Sequence, residues 1–415
     1  MIERRQALNA YSAVTAAYWA FMLTDGALRM LVLLHFHTLG FSPVQLAYLF
    51  VLYEVAGIVT NLYAGWIAAR FGLKATLFAG LGLQIMALIA LTQLDLAWSV
   101  GVSVVFVMLV QGLSGVAKDL AKMSSKSAVK LLAPTAEGAL FRWVAILTGS
   151  KNAVKGLGFL LGASFLGLFG FVPVVLSMAL ILAAILFSLL LWMPAGLSQG
   201  RKSAKFSEVF SKNPQINWLS FARVFLFGAR DVWFVVGIPI YFYAVWSDGT
   251  KAGNQSAFFT IGIFMALWII LYGLVQANAP RLLRARQRGQ GALIKDSATW
   301  VLGLAVVPAV LALVLYLTVS PTSVTTSVLV IGLLLFGAVF AVNSALHSYL
   351  ILAFTERERV TMDVGFYYMS NAAGRLLGTV LSGLSYQLGG VWLCLAVASA
   401  MLLISALGAH KLRSV

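Results

Sequence analysis

The chain has 415 residues, of which 61% are hydrophobic and only 10% charged, and its mean hydropathy is +0.94. A soluble protein of this length needs far more polar surface, so composition excludes the soluble classes and leaves a helical membrane protein. The formal net charge of +16 would suit a nucleic-acid partner, but Lys and Arg fall in short clusters between apolar runs, as in loops held on the cytoplasmic side of a membrane.

Apolar runs long enough to cross about 30 Å of hydrocarbon predict twelve spans. They cover 12–38, 45–69, 75–93, 98–123, 138–169, 171–193, 215–246, 255–279, 297–319, 325–354, 362–387 and 390–409. The first is too long and too charged for a cleaved signal segment and is expected to be retained. Cys394 is the only cysteine, and no CxxC or His-rich spacing offers a metal site, so no cofactor is expected.

With the N-terminus in the cytoplasm, the inner segments hold the basic clusters. These include Arg4 and Arg5, Arg70 and Lys74, Lys126 and Lys130, Arg201 to Lys212, Arg281 to Lys295, Arg357 and Arg359, and Lys411 and Arg413. The outer loops hold Lys251 and no other basic residue. This asymmetry places both termini inside and favours an even number of spans.

A charge within the hydrocarbon is costly, so each one marks a functional hypothesis. In the first span Asp25 and Arg29 lie four apart on one face and can pair. The pair would fix helix packing or act as a switch in which substrate competes for Arg29. Lys118, Lys122, Lys126 and Lys130 repeat every four residues, a step of about 40° and 6 Å, and so form a slowly turning basic ladder. Lys126 and Lys130 suit the interface, where lysines snorkel, whereas Lys118 and Lys122, with Asp119 beside them, suit a cavity. Lys151 and Lys155 share one face of the fifth span. In the seventh, Arg223 and Arg230 are nearly in line, and Asp231 points about 100° away from Arg230, toward a different helix. Glu54 and Arg375 complete the set.

These cations outnumber the carboxylates, and an anionic ligand would supply the missing charge. The Arg fork suits phosphate-like oxyanions and Lys adds a mobile point charge. The expected substrate is therefore a small anion with two or more charges, of phosphate type, though a carboxylate also fits. Arg29, Lys118, Lys122, Lys151 and Lys155 would form one half-site, and Arg223, Arg230 and Arg375 the other. Asp25, Glu54 and Asp231 are candidates for proton coupling or charge pairing. Imidazole also suits proton coupling, but His35, His37 and His347 fit structural roles as well.

The longest polar stretch divides the chain into a six-helix bundle at 1–194, a cytoplasmic linker at 195–214 and a second bundle at 215–415. Ser150, Lys155 and Gly158 match Ser370, Arg375 and Gly378 at a constant offset, and Phe21 and Asp25 match Phe227 and Asp231. A duplicated pair of six-helix bundles is the architecture of the major facilitator transporters. The run Gly65-Trp66-Ile67-Ala68-Ala69-Arg70-Phe71-Gly72-Leu73-Lys74 resembles their cytoplasmic loop signature, with Ala69 in place of its acid.

Longer strings carry a narrower resemblance. Tyr18 to Phe21, Thr24-Asp25-Gly26-Ala27-Leu28-Arg29-Met30, His35-Phe36-His37 and Tyr53-Glu54 resemble the organoarsenical efflux permeases of the major facilitator superfamily. So do Ala117-Lys118-Asp119-Leu120-Ala121-Lys122-Met123-Ser124 and Thr148-Gly149-Ser150-Lys151-Asn152. The resemblance implies export of 1-arseno-3-phosphoglycerate, formed when glyceraldehyde-3-phosphate dehydrogenase uses arsenate in place of phosphate. It implies arsenate resistance, a place in the bacterial inner membrane and a monomer that alternates access to a central cavity. An exchanger of ordinary organophosphates or other organic anions would share the fold and the charge pattern. A membrane-embedded enzyme or sensor is the reading from another class, but the sequence shows neither a catalytic cluster nor an attached soluble domain.

Overall fold

The structure is a computed structural model. It describes the backbone over 2–95, 97–132, 139–192, 211–284, 289–318, 320–355 and 360–413. Side chains are described at 9, 12–63, 67, 71–95, 97–125, 150–192, 211–284, 289–318, 320–355 and 363–413. The side chains of Arg4, Arg5, Arg70, Lys126, Lys130, Arg201, Arg357 and Arg359, and nearly all of the expected linker, lie outside these residues.

All the regular elements described are helices: α1 (Ile2–Thr38), α2 (Pro43–Tyr48), α3 (Val51–Phe71), α4 (Leu73–Leu91), α5 (Val100–Leu132), α6 (Ala139–Phe169), α7 (Phe171–Trp192), α8 (Pro214–Phe234), α9 (Gly237–Trp246), α10 (Lys251–Leu282), α11 (Gln290–Leu317), α12 (Ser323–Phe354) and α13 (Val360–His410). Among the described residues, eleven helical stretches are long and apolar enough to cross a membrane. Their outward faces carry large apolar side chains, such as Phe187, Leu180, Leu317 and Leu388, each more than half exposed. Helices satisfy their own backbone groups, so such a surface is at home in lipid.

Two expected spans are interrupted in the structure. The second is interrupted at Leu49–Phe50, between α2 and α3. The seventh is interrupted at Val235–Val236. There the cause is Pro239, whose ring cannot accommodate the carbonyl four residues earlier, that of Val235. Ser382 of α13 repairs the break: its Oγ accepts the backbone N–H of Val236 at 3.1 Å and of Gly237 at 3.2 Å. The eleventh and twelfth expected spans fall on the two arms of α13, which are separated by non-helical backbone at Gly390 with φ 72°, a conformation that glycine adopts without a Cβ clash.

Within the first half of the chain α1 packs on α6, and within the second α8 packs on α13. Glycine makes both contacts possible. A Cβ at Gly158 would strike the carbonyl of Leu23, and a Cβ at Gly378 would strike that of Gly228. These are the two glycines matched by the internal repeat. Small residues at such crossings let membrane helices approach closely. The two halves of the chain meet where α6 lies on α10 and where α2 and α3 lie on α13.

Candidate functional site

The intramembrane charges converge. Arg29, Lys118, Lys122, Lys151, Lys155, Arg223, Arg230 and Arg375 all line one cavity of about 250 Å³, together with Glu54, Asp119 and Asp231. Asp25 lies just behind its wall, buried against Lys155. Contributing helices come from both halves of the chain. Toward Thr38 the two halves of the chain touch: the N–H of Val44 donates to Gln387 Oε1 at 3.4 Å, Gln255 Nε2 donates to the Gly167 carbonyl at 2.8 Å, and the His37 ring meets Tyr243 at 5.0 Å. The partly exposed lining residues Lys122, Lys151 and Asn152 lie toward the opposite end.

The partners differ from those expected along the sequence. Asp25 and Arg29 do not pair with each other. Asp25 accepts from Lys155 Nζ at 2.7 Å and from the Tyr53 hydroxyl at 2.5 Å. Arg29 instead reaches Glu54 at 3.0 Å. Spacing of four puts two residues on one face, but a residue on a neighbouring helix can lie nearer. The expectation that Asp231 meets a different helix holds only in part. Arg375 Nε lies 3.5 Å away, but Arg230 folds back across its own helix to reach Asp231 at 2.6 Å. A long guanidinium stem spans an angle that bare helical geometry treats as separation.

One ion pair joins residues that the sequence reading assigned to different halves. Arg375, grouped with the second half, holds Glu54 of the first half at 2.6 Å. A chain of alternating charge therefore runs Arg29, Glu54, Arg375, Asp231, Arg230, crossing between the halves. Lys122 contacts Asp119 at 3.0 Å and Asn61 Oδ1 at 2.6 Å, and Asp119 also accepts from Thr60 at 2.7 Å. Among the described residues, Lys118 and Arg223 have no carboxylate within 4 Å. Lys118 lies over the Tyr53 ring at 3.9 Å. Arg223 lies over Phe227 at 3.8 Å and Tyr367 at 4.8 Å.

Sequence reasoning passed over the uncharged polar residues. Asn61, Tyr272, Gln276 and Ser344 line the same cavity. The available signal was a hydrogen-bonding side chain within an apolar run, which needs a partner for the same reason a charge does. The histidines stand apart from the cavity lining. His35 stacks on Phe171 at 4.3 Å, and His347 is fully buried on α12.

No family model matches the chain, and no curated protein matches it. Solved structures do. The nucleoside transporter NupG superposes with a TM-score of 0.72 at 15% identity, covering 97% of this chain and 99% of its own. A POT family transporter bound to 5-aminolevulinic acid gives 0.73 at 15% identity, covering 96% and 95%. A POT family transporter with a thioalcohol conjugated peptide gives the same values. The fold is that of multi-pass membrane transporters. All three of these neighbours are transporters and none is an enzyme, and the likeness runs over nearly the whole of each chain.

Proposed function

We propose that this chain is a secondary active transporter of the major facilitator type that exports a small oxyanion by alternating access. The observation that carries the reading is the convergence of eight cations from both halves of the chain on one cavity. Ion pairing neutralises some of them, but the carboxylates are too few for all, and buried charge without a partner is strongly unfavourable. A multiply charged anion supplies the difference. The cavity is smaller than the roughly 300–1,000 Å³ of most ligand pockets, which favours a compact solute.

Counting the two arms of α13 on either side of Gly390 as separate spans gives twelve, in two bundles of six around a linker near 195–214. Both termini then lie in the cytoplasm and the cavity faces it. The resemblance of the strings around Asp25, Lys118 and Ser150 to organoarsenical efflux permeases supports 1-arseno-3-phosphoglycerate as the substrate, bacterial inner-membrane export as the direction and arsenate resistance as the outcome. That substrate carries an oxyanion at each end, matching cations on both sides of the cavity. Its supplier is glyceraldehyde-3-phosphate dehydrogenase acting on arsenate. The transporter works as a monomer. Asp25, Glu54 and Asp231 each hold a cation, so their protonation would free basic groups for substrate and couple export to the proton gradient.

The test is arsenic content in arsenate-treated cells with and without the protein, in a background with active dehydrogenase. Expression should lower it. Equal accumulation would remove the arsenic reading and leave the second one, an organophosphate exchanger, which the cavity's charge serves equally well. Counterflow of sugar phosphates in proteoliposomes would then identify it.

A further inference from the structure

Arg223 differs from most of the cations around it. Arg29, Lys122, Lys155, Arg230 and Arg375 each hold a carboxylate, so an anion binding to any of them must displace an ion pair. Arg223 holds none. Its guanidinium lies over the rings of Phe227 and Tyr367, and its buried Nε has no hydrogen-bond partner among the described residues.

The polar contacts around Arg223 are long. Arg223 Nη1 donates to Ser344 Oγ at 3.3 Å, Gln276 Nε2 donates to the same oxygen at 3.3 Å, and the Tyr272 hydroxyl lies 3.2 Å from it. A serine hydroxyl has two lone pairs and one proton. The Ser344 carbonyl also accepts from Arg223 Nη1 at 3.3 Å, so each contact is made, but all are longer than the 2.9–3.0 Å usual for N–H···O bonds. The four residues stand on α8, α10 and α12, so their donors approach from three directions.

We propose that Arg223, Tyr272, Gln276 and Ser344 form a subsite for one tetrahedral oxyanion group, phosphoryl or arsenyl, and set the preference for such a group over a carboxylate. The proposal rests on the anion-transport reading above and deepens it. A carboxylate presents two oxygens in one plane, which satisfies the arginine fork alone. A tetrahedral group presents three splayed oxygens, enough for the fork, the tyrosine hydroxyl and the glutamine amide together. Binding there opens no ion pair, so this end of the substrate can dock first, before the chain of paired charges through Glu54 is disturbed.

Binding of two dianions, glycerol 3-phosphate and succinate, to the purified full chain in lipid nanodiscs tests this. Wild type should bind the phosphate ester more tightly. Arg223→Lys keeps the charge but loses the fork, and should weaken glycerol 3-phosphate about tenfold or more, the scale of hydrogen bonds to a charged group. Tyr272→Phe should weaken it by about threefold. Tyr272→Phe should change succinate affinity less than twofold, because a carboxylate leaves that hydroxyl unused, and Arg223→Lys should weaken succinate by a smaller factor than glycerol 3-phosphate. Tyr272→Phe removes one hydroxyl with little change of shape, so the test stands even if Arg223→Lys does not fold. Equal weakening of both probes, or no weakening of either, would overturn the subsite while leaving anion transport intact. Wild type that binds neither probe would overturn both.

Discussion

Arg375 holds the carboxylate of Glu54 at 2.6 Å across the boundary between the two halves of the chain. Glu54 is fully buried and also receives Arg29 at 3.0 Å, so one carboxylate restrains two arginines on different helices. Alternating access requires the halves to move against each other, and a bridge of this kind must be remade as they do. In the proposed transport cycle it is the contact through which an arriving anion, by taking either arginine, would influence that motion.

Replacing Glu54 should therefore damage both stability and transport. Glu54→Gln leaves Arg29 without a carboxylate and Arg375 with Asp231 alone, and breaking a buried pair typically costs about 3–5 kcal/mol. The expected result is a clear drop in melting temperature of the detergent-purified protein. Glu54→Gln combined with Arg375→Gln should recover part of it. Additive losses in the double variant would show that the two residues are not coupled.

The Asp25–Lys155 pair makes a parallel case. Asp25→Asn and Lys155→Met should each lower stability, and the double variant should be more stable than Asp25→Asn, because removing one partner leaves a buried charge and removing both does not. Thermal unfolding of the three variants is the measurement. Asp25→Asn/Arg29→Gln should show no such recovery, since those two residues do not meet.

Gly158 and Gly378 should be equally intolerant. A methyl group at either strikes a backbone carbonyl of the facing helix, and overpacking of this sort costs about 1–3 kcal/mol. Gly158→Ala and Gly378→Ala should reduce folded yield to a similar degree. Gly82 and Gly303 have open space where a Cβ would stand, so alanine there should be neutral or mildly stabilising. A strong loss at Gly82 with none at Gly158 would contradict the packing of α1 on α6.

Ser382→Ala should loosen the break between α8 and α9. The serine serves two N–H groups that Pro239 deprives of helical continuity, and leaving a buried donor unserved costs about 1–3 kcal/mol. Hydrogen exchange should rise at Val236 and Gly237 while the rest of α8 is unchanged. Uniform protection at these two amides would remove the capping role.

Loss of Lys122 tests the cavity itself. Lys122→Ala and Arg29→Ala should abolish export in cells while the proteins remain inserted, as judged by membrane-fraction yield. In proteoliposomes, wild-type export should respond to an imposed pH gradient. Transport indifferent to that gradient would remove the proton-coupling role given to Asp25, Glu54 and Asp231.

The sequence alone determined the membrane class, because no soluble fold tolerates so little polar surface. It also picked out the charged residues of the cavity, because a charge in an apolar run stands out whatever surrounds it. All eight cations chosen on that ground line one space. It also matched Asp25 with Asp231 and Lys155 with Arg375, and in space each aspartate meets the cation of its own half. The tertiary structure decided which charges pair. Helical periodicity fixes the face a side chain occupies on its own helix, but the neighbour across the gap depends on how closely two helices approach. That approach is set by contacts such as Gly158 on Leu23, which no spacing rule contains. For the same reason Arg29 went to Glu54 rather than Asp25, and the uncharged donors around Arg223 came to light only once α8, α10 and α12 were brought together.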